Sequence, residues 1–207
     1  MTKRIVVNSI MWFLMALFFA AIYATVEGNK PWAANLDTWR PDPSVWWVKL
    51  LYWIPCLGRE VNGFDTFGLV FLCLFGLVLI PVWEWTHSRP MPIHELLELA
   101  VYFTAICVIE DFVWYAINPH FGFAKFDAIH TSGMYNWWLL GFPGQYWEGF
   151  LLTLPLSIGS RSLGRQQKRW RWNKQGWKQG LKFFTTVWCT MIMLAVGMDF
   201  VAKSWRY

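Results

Sequence analysis

From Ile5 to Thr25 the chain carries no Asp, Glu, Lys or Arg, and an uninterrupted apolar run of that length restricts the folds open to it. At ~1.5 Å per residue the run makes a helix of roughly 30 Å, the thickness of a bilayer hydrocarbon core. Four further apolar stretches follow, Phe67 to Trp85, Ile93 to Ile117, Tyr146 to Ser160 and Leu181 to Val201. Hydrophobic residues are 56% of the 207 and charged residues 15%, against roughly 25% charged in an ordinary soluble domain. The expectation is an all-α, polytopic membrane helix bundle of about five transmembrane helices, forming one integral membrane domain over residues 1–207. The stretch at 146–160 is the shortest; it either extends into its flanks or re-enters the membrane under protection from its neighbours.

Charge sets the expected orientation. Lys3 and Arg4 precede the first run, which also has the outline of a signal sequence. Its length and the lack of an A-x-A site favour an uncleaved anchor. Eight Lys/Arg and no acid lie between Arg161 and Lys182. With five crossings, Lys3, Arg4, Arg89 and this basic stretch share one side. The localisation expected is therefore an integral membrane protein with its N-terminus cytoplasmic and its C-terminus outside. Residues 26 to 65 then form a long outer loop, in which the apolar segment Val45 to Ile54 is too short to span and reads as an interfacial helix.

The formal charge of +5 does not point to nucleic acid, because the basic stretch accounts for all of it. Trp170, Trp172 and Trp177 sit among those cations, a pattern suited to anionic headgroups. The other tryptophans, of 17 in all, read mainly as interfacial anchors. Cys56, Cys73, Cys107 and Cys189 show neither a disulfide framework nor a C-x-x-C clip. No phosphate loop, dinucleotide fingerprint or G-x-S-x-G elbow is present.

Ionisable residues inside apolar runs are the natural candidates for function, and they fall in two layers. The inner layer holds Glu84, His87, His94, Glu95 and Glu98. Glu84 and His87 have the E-x-x-H spacing of a di-iron half-site, but a full site needs a second pair and two more glutamates. A solvated pair of helix ends explains this layer more simply. The outer layer holds Glu110, Asp111 and Asp199 at one depth, Glu148 at the start of the fourth stretch, and His120, Asp127 and His130 in the connecting loop. Turn signals at Asn118-Pro119 and Gly141-Phe142-Pro143-Gly144 bracket Tyr135, Trp137 and Trp138, which suggests an aromatic capping loop over the helix ends.

Three readings of the outer layer remain open. The carboxylates can pair with cations or hydrogen-bond between helices. They can bind a divalent metal, Fe, Mn or Zn, through some of Glu110, Asp111, His120, His130, Glu148 and Asp199. Or Glu110, Asp111, His130 and Asp199 can form a metal-free acid/base site. The function expected is a membrane-embedded enzyme acting on a lipid-phase substrate such as an isoprenoid, quinone or acyl chain, with no reaction class specified. The alternative is a non-enzymatic accessory subunit of a larger membrane complex that binds pigment, quinone or partner helices. Expected partners are membrane lipids, a lipophilic small molecule and other membrane proteins, and no nucleic acid.

Overall fold

The computed structural model describes residues 2–27, 75–118, 126, 137–163 and 174–204. The interfacial helix expected at 45–54, residues 67–74 of the second apolar stretch, and His120, Asp127 and His130 lie outside the described residues. Contacts divide the chain into two units. One comprises residues 1–29, 91–131 and 135–207; the other comprises 30–90 and 132–134.

The second unit, where described, is a π-helical turn at Phe75–Leu79 running into α2 (Ile80–His87). Pro81 occupies the first turn, where its missing N–H costs nothing. The helix stops at Ser88, whose φ of 51° is left-handed, a usual helix ending.

The first unit contains α1 (Thr2–Glu27), α3 (Ile93–Ile117), α4 (Gly144–Ser162) and α5 (Lys174–Ser204). α3 is its centre and packs on α1, α4 and α5. Prolines define its ends. Pro92 precedes the first turn in extended geometry and its carbonyl accepts from the Glu95 and Leu96 amides. Asn118, held extended before Pro119 as pre-proline sterics require, closes the helix with its amide donating to the Trp114 carbonyl.

α4 packs antiparallel to α5: Phe150 meets Phe184 and Trp188, while Ile158 lies against Gly180. The approach requires glycine, because a Cβ at Gly180 would lie 2.5 Å from the Ile158 Cα. A buried hydrogen bond from Trp188 Nε1 to Thr153 Oγ1, 2.8 Å, ties the two helices at mid-length. Before α4, β1 (Trp138–Leu139) pairs antiparallel with β2 (Phe142–Pro143) through a tight turn at Leu140 and Gly141, both at positive φ. Trp147 Nε1 donates to the Leu139 carbonyl and holds this ribbon against α4. Phe126 packs with Phe112, Tyr115, Trp138, Phe142 and Tyr146. The tryptophan and phenylalanine abundance is thus partly an internal aromatic cluster at the C-terminal end of α3.

The helical content is as expected, but the five-span bundle is not. Among the described residues two helices are long and apolar enough to cross a membrane, Lys3–Ile22 within α1 and α5. α3 instead serves as the core element of its unit, with Val101, Ala105, Ile106, Ile109 and Val113 buried by its neighbours. α4 is one continuous helix of 19 residues with Pro155 inside it. The N-inside, C-outside localisation was counted across five crossings and loses its basis with them. The enzyme and accessory-subunit readings, both built on that bundle, are corrected on the same ground.

Candidate functional site

α3 places His94, Glu98 and Tyr102 four residues apart, so they form one stripe along its N-terminal half. Arg161, in the last turn of α4, meets this stripe. Its Nη1 donates to Glu98 Oε2 at 3.1 Å, and the two side chains are only 17% and 19% exposed. The guanidinium also sits 4.1 Å from the Phe183 ring centroid of α5, where the ring face attracts a cation. Tyr102 completes the junction. Its ring stacks parallel to Trp12 of α1 at 6.0 Å and meets Phe183 edge-on at 5.5 Å. All four helices of the unit therefore converge on one half-buried ion pair and its aromatic walls.

The junction has spare hydrogen-bonding capacity. Tyr102 Oη, Arg161 Nε, His94 Nε2, Ser157 Oγ and Ser162 Oγ are buried without a hydrogen-bond partner. Burial first, and then the Glu98 charge, push the Tyr102 phenol far above its usual range. Asn8, Ser9 and the Arg161 charge lie close enough to offset only part of this. His94 Nε2 lies 3.7 Å from the Glu95 carboxylate, too long for a hydrogen bond. Chemically, the arrangement can hold a charge pair at the edge of water and supply donors to a small acceptor such as water.

The other expected site residues that are described lie on α2, α3, α4 and α5. His87 is occupied within α2: its Nδ1 lies 2.9 Å from the Trp83 carbonyl and its ring stacks on Trp83 at 4.1 Å. Among the described residues no third His, Cys, Asp or Glu joins Glu84 and His87 in a group that could hold a metal ion. Asp199 is bound at 2.7 Å by Lys203, one turn along its own helix. Glu148 is exposed, while Glu110 and Asp111 are half-buried on α3 and both interact with neighbours. Among the described residues no three His, Cys, Asp or Glu could hold a metal ion. The metal-binding expectation is corrected to that extent, and His120 and His130 lie outside the described residues.

Sequence reasoning missed Arg161 and Tyr102. Arg161 was counted with the basic stretch as a loop cation, although it follows Ser157 by one helical turn. Tyr102 had no charge to draw attention, although it follows Glu98 by one turn. Those two four-residue spacings were the available signal.

The outer faces of α1 and α5 form a second feature. On α1 every exposed residue from Val7 to Ile22 is apolar, including Met11 at 59% and Phe18 at 63% exposure. Met11, Leu14, Met15, Phe18 and Phe19 line a shallow groove there. On α5 the exposed apolar residues include Ile192, Met193, Val196 and Phe200. Compared with protein families, with curated proteins and with solved structures, the chain matches none.

Proposed function

We propose that the chain is a helical module that docks on lipid through the outer faces of α1 and α5. The observation that carries this reading is the α1 face, which is exposed, apolar and free of charge from Val7 to Ile22. Sixteen residues at ~1.5 Å each extend it for roughly 24 Å, far more contiguous apolar surface than a scattered exposed leucine represents. A protein partner would favour a polar rim with hydrogen bonds about an apolar centre. This face offers side chains that neither donate nor accept, which suits hydrocarbon.

Flotation of the purified full chain with phosphatidylcholine vesicles, after detergent removal, tests the reading. The protein is expected to float with the vesicles. The triple substitution Met11→Glu, Leu14→Glu and Phe18→Glu, at exposed positions, is expected to leave it in the dense fraction with an unchanged helical circular-dichroism spectrum. Failure of the native chain to float, or flotation of both proteins alike, refutes it. Self-association of the native chain without flotation assigns the face to a second copy and also refutes it.

A further inference from the structure

The exposed side of α5 changes character along its length. Lys174, Lys178 and Lys182 recur at four-residue spacing and are all exposed, so they form a row on one side of the helix, ~12 Å long. None of the three ammonium groups is ion-paired among the described residues. Glu98, the carboxylate bonded by Arg161 where that guanidinium covers Phe183, is already neutralised. Trp177 and Leu181 stand beside the lysines, each 43% exposed. Further along, from Ile192 to Phe200, the exposed side is apolar.

We propose that the Lys174–Lys178–Lys182 row binds the phosphate-bearing headgroups of anionic phospholipids at the edge of the apolar face. The inference rests on the lipid-docking reading and adds the class of lipid selected. Charge complementarity identifies the occupant. Lysine stems can lie along apolar surface while their ammonium groups reach the headgroup layer, and Trp177 is suited to the same boundary. Each lysine near an anionic surface contributes enough to change affinity several-fold, so three together give a preference on the order of 100-fold. Screening by salt weakens it.

The test is titration of the full chain with phosphatidylcholine vesicles prepared with and without phosphatidylglycerol. The native chain is expected to bind both and to bind the anionic vesicles on the order of 100-fold more tightly at low salt. Lys174→Gln, Lys178→Gln and Lys182→Gln together are expected to abolish the preference while leaving phosphatidylcholine binding unchanged. The corresponding three Lys→Arg changes are expected to retain it. Equal affinity of the native chain for both vesicles overturns the inference and leaves the docking reading intact. Preference surviving in the Gln variant overturns the assignment to this row. At constant ionic strength, displacement of anionic vesicles by inorganic phosphate or by a single-stranded oligonucleotide overturns the choice of lipid. Binding to neither vesicle sinks the docking reading and this inference with it.

Discussion

Replacing Arg161 with Met removes the cation that meets Glu98 at 3.1 Å and covers Phe183. Charges at that separation attract by roughly 5 kcal/mol at an effective dielectric of about 20, before desolvation is subtracted. Breaking a fully buried pair costs about 3–5 kcal/mol, because the surviving charge stays uncompensated. These side chains keep nearly a fifth of their surface, and water can reach Glu98 once the arginine is gone. The expected loss is therefore about 2–3 kcal/mol. For a chain of this size that lowers the melting temperature by roughly 5–10 °C, readable from far-ultraviolet circular dichroism. Glu98→Gln leaves the guanidinium on Phe183 with a neutral acceptor and is expected to cost less, about 1–2 kcal/mol. The double variant is the decisive measurement. If the two residues act as a pair, its loss falls short of the summed single losses by at least about 1 kcal/mol. Additive losses, or an Arg161→Met loss below about 0.5 kcal/mol, would refute the claim that this ion pair organises the junction.

Three further outcomes follow from local geometry. Desolvation of its packed sulfur, and next the charges of Asp111 and Glu110, push the Cys107 thiol up, although the residue keeps exposed surface; since the thiolate is the reactive form, alkylation of a variant keeping only this cysteine should run at least about tenfold below an ordinary thiol near pH 8. The rate should climb at higher pH and rise several-fold in Asp111→Asn, and an ordinary rate at neutral pH would contradict the assignment. Leu140 has φ of 52° beside Gly141 at 79°, so Leu140→Asn should raise the denaturation midpoint, by about 1 kcal/mol, because asparagine tolerates the left-handed region that leucine resists; a lowered midpoint would show that the leucine's exposed side chain matters more than its backbone. Gly180→Ala should cost about 1–3 kcal/mol by forcing α4 from α5, and adding Ile158→Ala should not rescue it, since the contact at 2.5 Å is with backbone.

Where each helix sits was largely legible, because backbone punctuation acts locally. Pro90, Pro92 and Pro119 set α3 at Ile93–Ile117, the limits expected from the apolar run. The fourth and fifth stretches were placed correctly but underestimated. α4 begins at Gly144, and α5 begins at Lys174 rather than Leu181. Lysine and glutamine are good helix formers, so hydropathy fell away before the helix did. The turn at Leu140–Gly141 falls at the turn signals read at 141–144, and Trp138 and Phe142 pack on Phe126 beside it; the rest of the expected capping loop lies outside the described residues.

What the helices do to one another was not legible. A charged residue at a given depth costs the same in a sequence whether its neighbour is lipid, water or an arginine from another helix. Depth alone grouped Asp199 with Glu110 and Asp111, but the structure gives Asp199 to Lys203 on its own helix. Burial was equally invisible: α1 and α3 are both strongly apolar, yet one exposes Met11, Leu14 and Phe18 while the other buries Val101, Tyr102, Phe103, Ala105, Ile106, Ile109 and Val113. By itself the sequence determined the existence, type and approximate limits of the helices, since propensity, proline and hydropathy act over one or two turns. Only the tertiary structure decided that α3 is the core, that Arg161 belongs to Glu98, and that α1 and α5 keep their apolar faces outward. Those choices depend on which surfaces meet across distant parts of the chain.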